Sequence, residues 1–161
     1  MPRIAPLFLL LVLALSACQK DEIAKVGKAA PDLTVMTTDG NPVKLATLKG
    51  KVVFVNFWWS GCGPCLAEMP EIDKVYHRFG PEGFEVLSVN FGQQTETIVN
   101  TSRRLEVSYP LLSDRLKISA ARYGVSAAPT SFLIDRDGVL REAIYGPVTQ
   151  QQLAAKIEKL L

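Results

Sequence analysis

Two apolar stretches separated by a turn signal mark the start of the predicted fold. Residues 33–45 form short extended runs on either side of Asp39-Gly40-Asn41, and this pattern predicts a β-hairpin. Residues 52–57 are almost continuously apolar and rich in valine, as expected for a strand buried on both faces. The sequence therefore predicts a hairpin followed by a central strand.

A helix and a second strand follow the central strand. Between residues 64 and 79 the apolar side chains recur at helical spacing, and Pro70 is expected to kink the helix that they predict. Residues 84–89 are again apolar and predict a second core strand. A strand, a helix and a strand in this order favour a parallel pair joined by a right-handed crossover.

The second half of the sequence predicts shorter elements. In order they are a helix over residues 95–106, a helix over 115–123 closed by Gly124, a strand over 130–134, a turn over 135–138 and a returning strand over 139–145. Thr149 and Gln152 form a capping-box signature at the start of a last helix. The predicted fold class is α/β, a central mixed β-sheet flanked by helices with an N-terminal β-hairpin extension.

The N-terminus carries the pattern of a secretory signal. Arg3 precedes an apolar run over residues 7–15, which is shorter than the ~20 residues that a transmembrane helix needs and typical of a signal peptide. The following Leu15-Ser16-Ala17-Cys18 resembles a bacterial lipobox, in which the cysteine is lipidated and begins the mature protein. We therefore expect a lipoprotein signal peptide at 1–17, a lipidated N-terminus and tether at 18–28, and one folded domain at 29–161.

A lipid on Cys18 is one of two interpretations of this leader. The other is an ordinary signal peptide cut nearby, which would leave Cys18 as a free thiol, a liability in an oxidising compartment. Both interpretations place the domain outside the cytoplasmic membrane. With the lipid, we expect it to be anchored in the cell envelope and to face the periplasm or the cell exterior.

Composition narrows the range of partners. The chain has 161 residues and a formal net charge of +2, which suits one domain with its own core and favours no polyanionic partner. Arg103-Arg104 is the densest basic pair, and no aromatic residues are interleaved with it as on a nucleic-acid surface. We expect a monomer with no nucleic-acid partner.

The most informative motif is Cys62-Gly63-Pro64-Cys65, where the central strand gives way to the helix. Two cysteines at this spacing, the first at the helix mouth and the second one turn inside, can bring their sulfurs within bonding reach. The unpaired N–H groups and the macrodipole of a helix N-terminus favour a thiolate on the first cysteine. Cys62 is therefore the predicted nucleophile, and Cys65 is the predicted resolving thiol.

A Cys-x-x-Cys pair can also be half of a zinc site or a purely structural disulfide. A structural zinc site needs further thiolate or imidazole ligands, and the chain offers only Cys18 and His77. Because four ligands cannot be assembled from these residues, no metal is expected. The interpretation of the pair as a purely structural disulfide remains an alternative at this point.

A set of short motifs is spread through most of the chain. They are Val55-Asn56-Phe57-Trp58, the CGPC motif, Glu68-Met69-Pro70, Tyr109-Pro110-Leu111-Leu112-Ser113-Asp114, Tyr123-Gly124-Val125, Pro129-Thr130 and Phe132-Leu133-Ile134-Asp135. Together they resemble the thioredoxin-like thiol:disulfide oxidoreductases of the TlpA/ResA type, over residues 28–161. The resemblance implies a thioredoxin-like fold and an enzyme of thiol-disulfide exchange.

The resemblance assigns roles to residues at matching positions. Cys62 and Cys65 are implied to be the redox pair and to form its disulfide. Pro129 matches a cis-proline that faces the dithiol, and the preceding Ala128 would offer backbone groups to an extended substrate segment. Trp58 is assigned to the same substrate-binding site. The alternatives are an ordinary proline at the start of a strand and a tryptophan packed in the core.

Glu68 is the third candidate catalytic residue. It lies three residues after Cys65, hence on the same helix face, and the resemblance implies an acid here that tunes the thiols and carries a proton. Thioredoxin itself usually has its buried acid on the preceding strand, where this chain has Asn56. The alternative is a solvated helix glutamate, because glutamate is rarely buried without a partner.

One position departs from the family pattern. Gly61 stands directly before Cys62, where the family usually has tryptophan, and Trp59 lies two positions earlier. The loss of a flat ring at position 61 is expected to open the surface around Cys62 and to loosen the local backbone. This predicts altered partner choice with redox activity retained.

The direction of electron flow is predicted from the residues between the cysteines. Gly63 and Pro64 carry no positive charge that would make the pair a strong oxidant, which favours a disulfide reductase or a moderate exchanger. No cofactor is expected. The resemblance implies a membrane-embedded thiol carrier as electron donor and oxidised cell-envelope proteins as substrates, apocytochrome c with its CxxCH motif among them. A disulfide oxidase or isomerase, and a protein that holds Cu(I) between two thiolates, are the alternatives.

Overall fold

The computed structural model describes residues 23–161, and the predictions for the leader and for Cys18 lie outside the described residues. The strands are β1 (Thr34–Met36), β2 (Pro42–Lys44), β3 (Val52–Trp58), β4 (Phe84–Phe91), β5 (Leu111–Asp114), β6 (Thr130–Ile134) and β7 (Leu140–Tyr145). The α-helices are α1 (Gly63–Phe79), α2 (Thr95–Leu105), α3 (Ile118–Arg122) and α4 (Gln150–Ile157). The strands form one sheet in the order β2-β1-β5-β4-β3-β6-β7.

The centre of the sheet is parallel and its edges are antiparallel. β3 pairs in parallel with β4, and β4 with β5, whereas β6 runs antiparallel to β3 and β7 antiparallel to β6. β1 and β2 form the predicted N-terminal hairpin. The helix between β3 and β4, α1, continues through Pro70. The predicted mixed sheet and β-α-β unit are therefore confirmed.

Two cores lie on opposite faces of this sheet. Helices α1, α2 and α4 pack on one face, and α3 with the N-terminal segment packs on the other. β3 is buried along its whole length, with Phe54 and Trp58 turned toward α1 and Val53, Val55 and Phe57 turned the other way. Alternation along a strand explains this division, because successive side chains point to opposite faces.

The third helix is shorter than predicted. The pattern predicted residues 115–123, but α3 spans only Ile118–Arg122. Asp114 explains the delay, since its Oδ2 accepts from the Ala120 N–H at 2.8 Å and its carbonyl accepts from the Lys117 N–H at 3.0 Å. Lys117 adopts a left-handed φ of 58° in this turn, so the helix begins only after it.

The folded part begins earlier than the predicted boundary at residue 29. The Ala24 N–H donates to the Arg122 carbonyl at 3.0 Å, and the Gly27 N–H donates to the Leu140 carbonyl at 2.8 Å. At least residues 24–28 thus belong to the domain rather than to the tether. Across residues 23–161, no helix combines the length and the apolar character that crossing a membrane would require.

Candidate active site

Cys62 is the N-cap residue of α1. β3 ends at Trp58 and α1 begins at Gly63, so the connecting loop places Cys62 at the carboxyl edge of the parallel strands. Its Sγ accepts a hydrogen bond from the Cys65 N–H at 3.2 Å. Pro64 lies in the first turn, where a missing N–H leaves nothing unpaired. The sulfur of Cys62 therefore lies at the positive end of the helix, which favours its thiolate form in the reduced protein.

Cys62 and Cys65 are joined by a disulfide, with their Cα atoms 5.3 Å apart. Cys62 is 6 % exposed, whereas Cys65 is fully buried. Cys62 is therefore the more accessible residue of the pair. It is nevertheless less exposed than a free surface thiol would be.

Glu68 is buried, with only 3 % of its surface exposed. Its Oε1 accepts from Asn56 Nδ2 at 2.8 Å, and its Oε2 accepts from the Val148 N–H at 2.9 Å. Asn56 Nδ2 also donates to Ser131 Oγ at 3.0 Å. The carboxyl group thus lies between α1, β3 and the segment that precedes α4. The alternative interpretation of Glu68 as a solvated helix residue is wrong.

The pKa of Glu68 is raised to about 7, chiefly because burial removes water from the ionised carboxylate. Hydrogen bonds from the Val148 N–H and from Asn56 stabilise the carboxylate and oppose this shift. A group with a pKa near neutrality can take up and release a proton under ordinary conditions.

The sheet face beneath α1 carries a polar layer. Asn56 on β3 is in register with Ser88 on β4, and Trp58 is in register with Asn90 two positions further along the same face. All four residues are completely buried. Within residues 23–161, four buried atoms of this layer make no hydrogen bond, namely Asn56 Oδ1, Trp58 Nε1, Ser88 Oγ and Asn90 Oδ1. Such groups oppose folding, and native proteins tolerate them mainly at functional sites.

Pro129 lies beside the end of β3. β6 begins at Thr130, whose register partner on β3 is Phe57, so Pro129 is next to the loop that carries the dithiol. The Ala128–Pro129 peptide bond is cis, as the resemblance implied. Pro129 is buried, and the half-buried Ala128 packs against the core cluster that contains both cysteines. The structure therefore brings Ala128 and Pro129 to the same edge of the sheet as the dithiol.

Trp58 does not line a substrate site. Its side chain is fully buried and packs in the core under α1. The prediction that Trp58 contacts substrate is therefore wrong, because strand alternation turns this residue inward. Its alternative, packing in the core, is confirmed.

Trp59 is the tryptophan exposed at this edge, with 44 % of its surface accessible. Its ring lies on Gly61 so closely that a Cβ added there would come within 2.7 Å of Cη2 and nearer still to Cζ3. The Cys62 N–H donates to the Trp59 carbonyl at 3.0 Å and closes the loop. The Trp59 ring thus occupies the space that a side chain at position 61 would take, while Gly61 itself is exposed, and the expectation about the surface around Cys62 stays a prediction.

Gln93 forms hydrogen bonds to the same loop, and sequence reasoning missed this residue. Its Oε1 accepts from the Ser60 N–H at 2.8 Å, and its Nε2 donates to Ser60 Oγ at 2.9 Å. Asn90 Nδ2 donates to the same Oε1 at 2.8 Å. One signal could have indicated this residue: it follows β4, and the segments that follow neighbouring parallel strands meet at one edge of the sheet.

Comparison with known proteins agrees with this geometry. The sequence matches the AhpC/TSA family over residues 26–143. The thiol-disulfide oxidoreductase ResA of Bacillus thuringiensis (strain Al Hakam) is 34 % identical over 139 residues, which cover 86 % of this chain and 80 % of the relative. ResA of Bacillus subtilis (strain 168) is 33 % identical over 134 residues, covering 83 % of this chain and 74 % of the relative.

A solved structure extends the comparison to three dimensions. A putative thiol:disulfide interchange protein DsbE from Chlorobium tepidum superposes with a TM-score of 0.77 at 30 % sequence identity. The match covers 85 % of this chain and 96 % of that chain. The similarity therefore extends over nearly the whole described domain.

The mixed sheet, the flanking helices and the Cys62–Cys65 pair at the start of α1 define a redox-active protein of the thioredoxin-like class. Within that class, the chain belongs to the AhpC/TSA family and to its thiol-disulfide oxidoreductases of the ResA type. The predicted fold class, family and type of enzyme are confirmed.

Proposed function

We propose that the protein is a membrane-anchored, extracytoplasmic disulfide reductase that acts on oxidised proteins of the cell envelope through Cys62 and Cys65. The observation that supports this most directly is the joined pair at the N-cap of α1, with the more accessible residue at the cap and the other fully buried. A pair arranged in this way can attack with one sulfur and resolve with the other.

The reaction proceeds by two exchanges of disulfide partners. In the reduced protein the Cys62 thiolate attacks one sulfur of the substrate disulfide, and the other substrate sulfur leaves as a thiolate. Cys65 then loses its proton, attacks Sγ of Cys62 and releases the second substrate sulfur. The substrate gains two electrons, and the protein is left with the Cys62–Cys65 disulfide.

Glu68 is proposed as the proton acceptor when Cys65 resolves the mixed disulfide. It follows Cys65 by three residues in α1, and its pKa of about 7 allows it to receive a proton near neutral pH.

Ala128 and Pro129 are proposed to position an extended substrate segment beside Cys62. Their place next to the end of β3 supports this role.

Anchoring and electron supply complete the proposal. A lipid on Cys18 would hold the domain at the membrane, where a membrane-embedded thiol carrier would reduce the disulfide again. Substrates would be oxidised envelope proteins, with apocytochrome c and its CxxCH motif as one candidate. Replacement of Cys18 by serine should release the protein from the membrane fraction, while Ser16→Ala, a change in the same leader segment, should leave it anchored.

Capture of partners on a Cys65→Ser variant tests the catalytic proposal. The variant should stall as a mixed disulfide through Cys62, and mass spectrometry of the captured material should identify envelope proteins with paired cysteines. A variant that also carries Cys62→Ser is the matched control and should capture none. Equal capture by both variants would contradict the assignment of Cys62 as the nucleophile.

Equilibration with glutathione tests the direction of electron flow. A reduction potential of about −270 mV, as in thioredoxin, would support a reductase. A potential of about −120 mV, as in DsbA, would instead make the protein an oxidase.

A further inference from the structure

A flat aromatic surface lies next to the dithiol and has no part in the chemistry described so far. Most large apolar side chains of residues 23–161 are buried, but Trp59 keeps 44 % of its surface exposed. It stands three residues before Cys62, and its carbonyl accepts from the Cys62 N–H at 3.0 Å. The indole and the attacking sulfur therefore belong to one short, closed loop.

Gly61 is what allows the ring to lie there. A Cβ at this position would meet three carbons of the Trp59 benzo ring, at 2.9 Å from Cε3, 2.7 Å from Cη2 and closer still to Cζ3. Gly61 does not have the positive φ that otherwise favours glycine. Close approach of the ring, and not a left-handed backbone, is thus the constraint that the structure shows at this position.

A polar clamp holds the residue between Trp59 and Gly61. Both the N–H and the hydroxyl of Ser60 are bonded to the Gln93 side chain, at 2.8 and 2.9 Å. Gln93 is in turn fixed by Asn90 Nδ2 at 2.8 Å. The clamp therefore fixes the loop backbone between Trp59 and Gly61, and the ring lies against Gly61 while part of it is exposed to solvent.

We propose that Trp59 is a specificity-determining contact residue, whose exposed indole binds an apolar side chain beside the cysteine of the substrate disulfide. The inference rests on the proposed function, because it concerns the substrate that is attacked by Cys62. Gly61 and Gln93 are positioning residues that hold the ring in place. The preferred substrates are disulfide-bonded polypeptides with an aliphatic or aromatic residue next to the reacting cysteine.

Physical chemistry favours an apolar partner for this surface. An indole held in place loses little conformational freedom when a side chain packs on it, so most of the gain from burial is kept. Burial of part of one apolar side chain against the ring corresponds to about a five- to tenfold gain in affinity. That gain affects the binding of the polypeptide and leaves the dithiol chemistry unchanged.

Kinetics on matched substrates test the proposal. The substrates are disulfide-bonded peptides that differ only in one residue beside the cysteine, phenylalanine, serine or lysine, and hydroxyethyl disulfide, which has no side chain to bind. The protein should reduce the phenylalanine peptide about five- to tenfold more efficiently than the serine peptide. Trp59→Ala should remove this preference through KM, and Trp59→Phe should retain part of it.

Three further measurements separate binding from damage to the site. The fall in efficiency of Trp59→Ala should be several-fold larger for the phenylalanine peptide than for hydroxyethyl disulfide, and the equilibrium with glutathione should be measured beside it. Gly61→Ala should reproduce the loss of preference, because its Cβ displaces the ring, and should have no additional effect in the Trp59→Ala background. Val26→Ala, a truncation of an exposed apolar residue outside the site, should behave as the wild type.

Several results would overturn the proposal. One is an equal fall in activity of Trp59→Ala on every substrate, hydroxyethyl disulfide included. Others are a preference for the lysine peptide, or additive effects of Gly61→Ala and Trp59→Ala. Failure of the wild type to reduce any of these disulfides would contradict the proposed function itself, and is thereby distinguishable from failure of the contact at Trp59.

Discussion

The two faces of β3 are buried to the same degree but differ in chemistry. On one face Phe57 packs against the rings of Tyr123 and Phe132, whose centroids lie 5.7 and 6.0 Å away. On the other face Asn56 lies under α1 and donates a hydrogen bond to the buried Glu68. The face of β3 that Phe57 lines is apolar throughout, whereas on the α1 side a polar layer around Asn56 interrupts an apolar core that Phe54 and Trp58 also line.

The two faces of β3 contribute differently to the free energy of folding and to the chemistry of the site. Apolar burial drives folding, whereas a buried polar atom without a partner opposes it. The dithiol and Glu68 lie over the face that carries four such atoms. We therefore expect substitutions on the aromatic face to affect folding and substitutions on the polar face to affect proton and thiol chemistry.

The largest effect is expected on the aromatic face. Phe57→Ala removes a fully buried ring and should lower the free energy of unfolding by about 3–5 kcal/mol in urea titrations. The dithiol equilibrium with glutathione should not change, since Phe57 points away from α1. Tyr145→Ala, at a ring that is 79 % exposed, is the control and should change stability by less than about 0.5 kcal/mol. A tenfold shift of the equilibrium in Phe57→Ala would show that the two faces are not separable.

The next effect concerns the pH dependence of stability. The pKa of Glu68 rises from 4.5 to about 7 on folding, so the unfolded chain releases this proton at lower pH than the folded protein. The free energy of unfolding should therefore fall as pH rises from about 4.5 to about 7, by up to about 3 kcal/mol from this group. Glu68→Gln should remove that part of the slope in urea titrations at pH 5, 6, 7 and 8. An unchanged slope in the variant would contradict the raised pKa.

A smaller effect is expected from Asn56, the donor to Glu68. Asn56→Ala removes a hydrogen bond that stabilises the carboxylate, so the pKa of Glu68 should rise further. The loss of stability should be about 1–2 kcal/mol and larger at pH 8 than at pH 5. Ser131→Ala is the control, because it removes a contact of Asn56 that does not involve Glu68. Its effect should not depend on pH, and an equal pH dependence in both variants would contradict the assignment.

The smallest effect is expected at the start of α4. The Thr149 hydroxyl accepts from the Gln152 N–H at 3.2 Å, and the Gln152 side chain accepts from the Thr149 N–H at 3.0 Å. Thr149→Ala should lower stability by about 1 kcal/mol, whereas Thr149→Ser should retain the cap. The reduction potential should stay the same in both. A shifted potential would mean that the cap acts on Glu68 through the neighbouring Val148.

Features that depend on local spacing could be predicted from the sequence. The apolar run of β3, the helical period of α1, the capping box and the Cys-x-x-Cys pair each involve residues within one element or one turn. The acid at Glu68 could be placed on the helix face of Cys65 for the same reason. Its burial could not, because Val148 lies 80 positions away in the sequence.

Features that depend on contacts between distant segments could not be predicted. The bond between Ser60 and Gln93 joins residues 33 positions apart and fixes the loop backbone next to Trp59. Trp58 and Trp59 are adjacent and chemically identical. Which of them is buried depends on which sheet face each side chain points to, and strand pairing determines that face. The delayed start of α3 likewise depends on the Asp114 side chain, which bonds to Ala120 instead of pointing to solvent.

The contact between Trp59 and Gly61 also constrains how this protein can evolve. Any side chain at position 61 collides with the ring at position 59, so the two sites are epistatic. A side chain at position 61 requires the Trp59 ring to move, so the effect of a substitution at either position depends on the residue at the other. The two positions therefore have to be considered together whenever this loop is compared or redesigned.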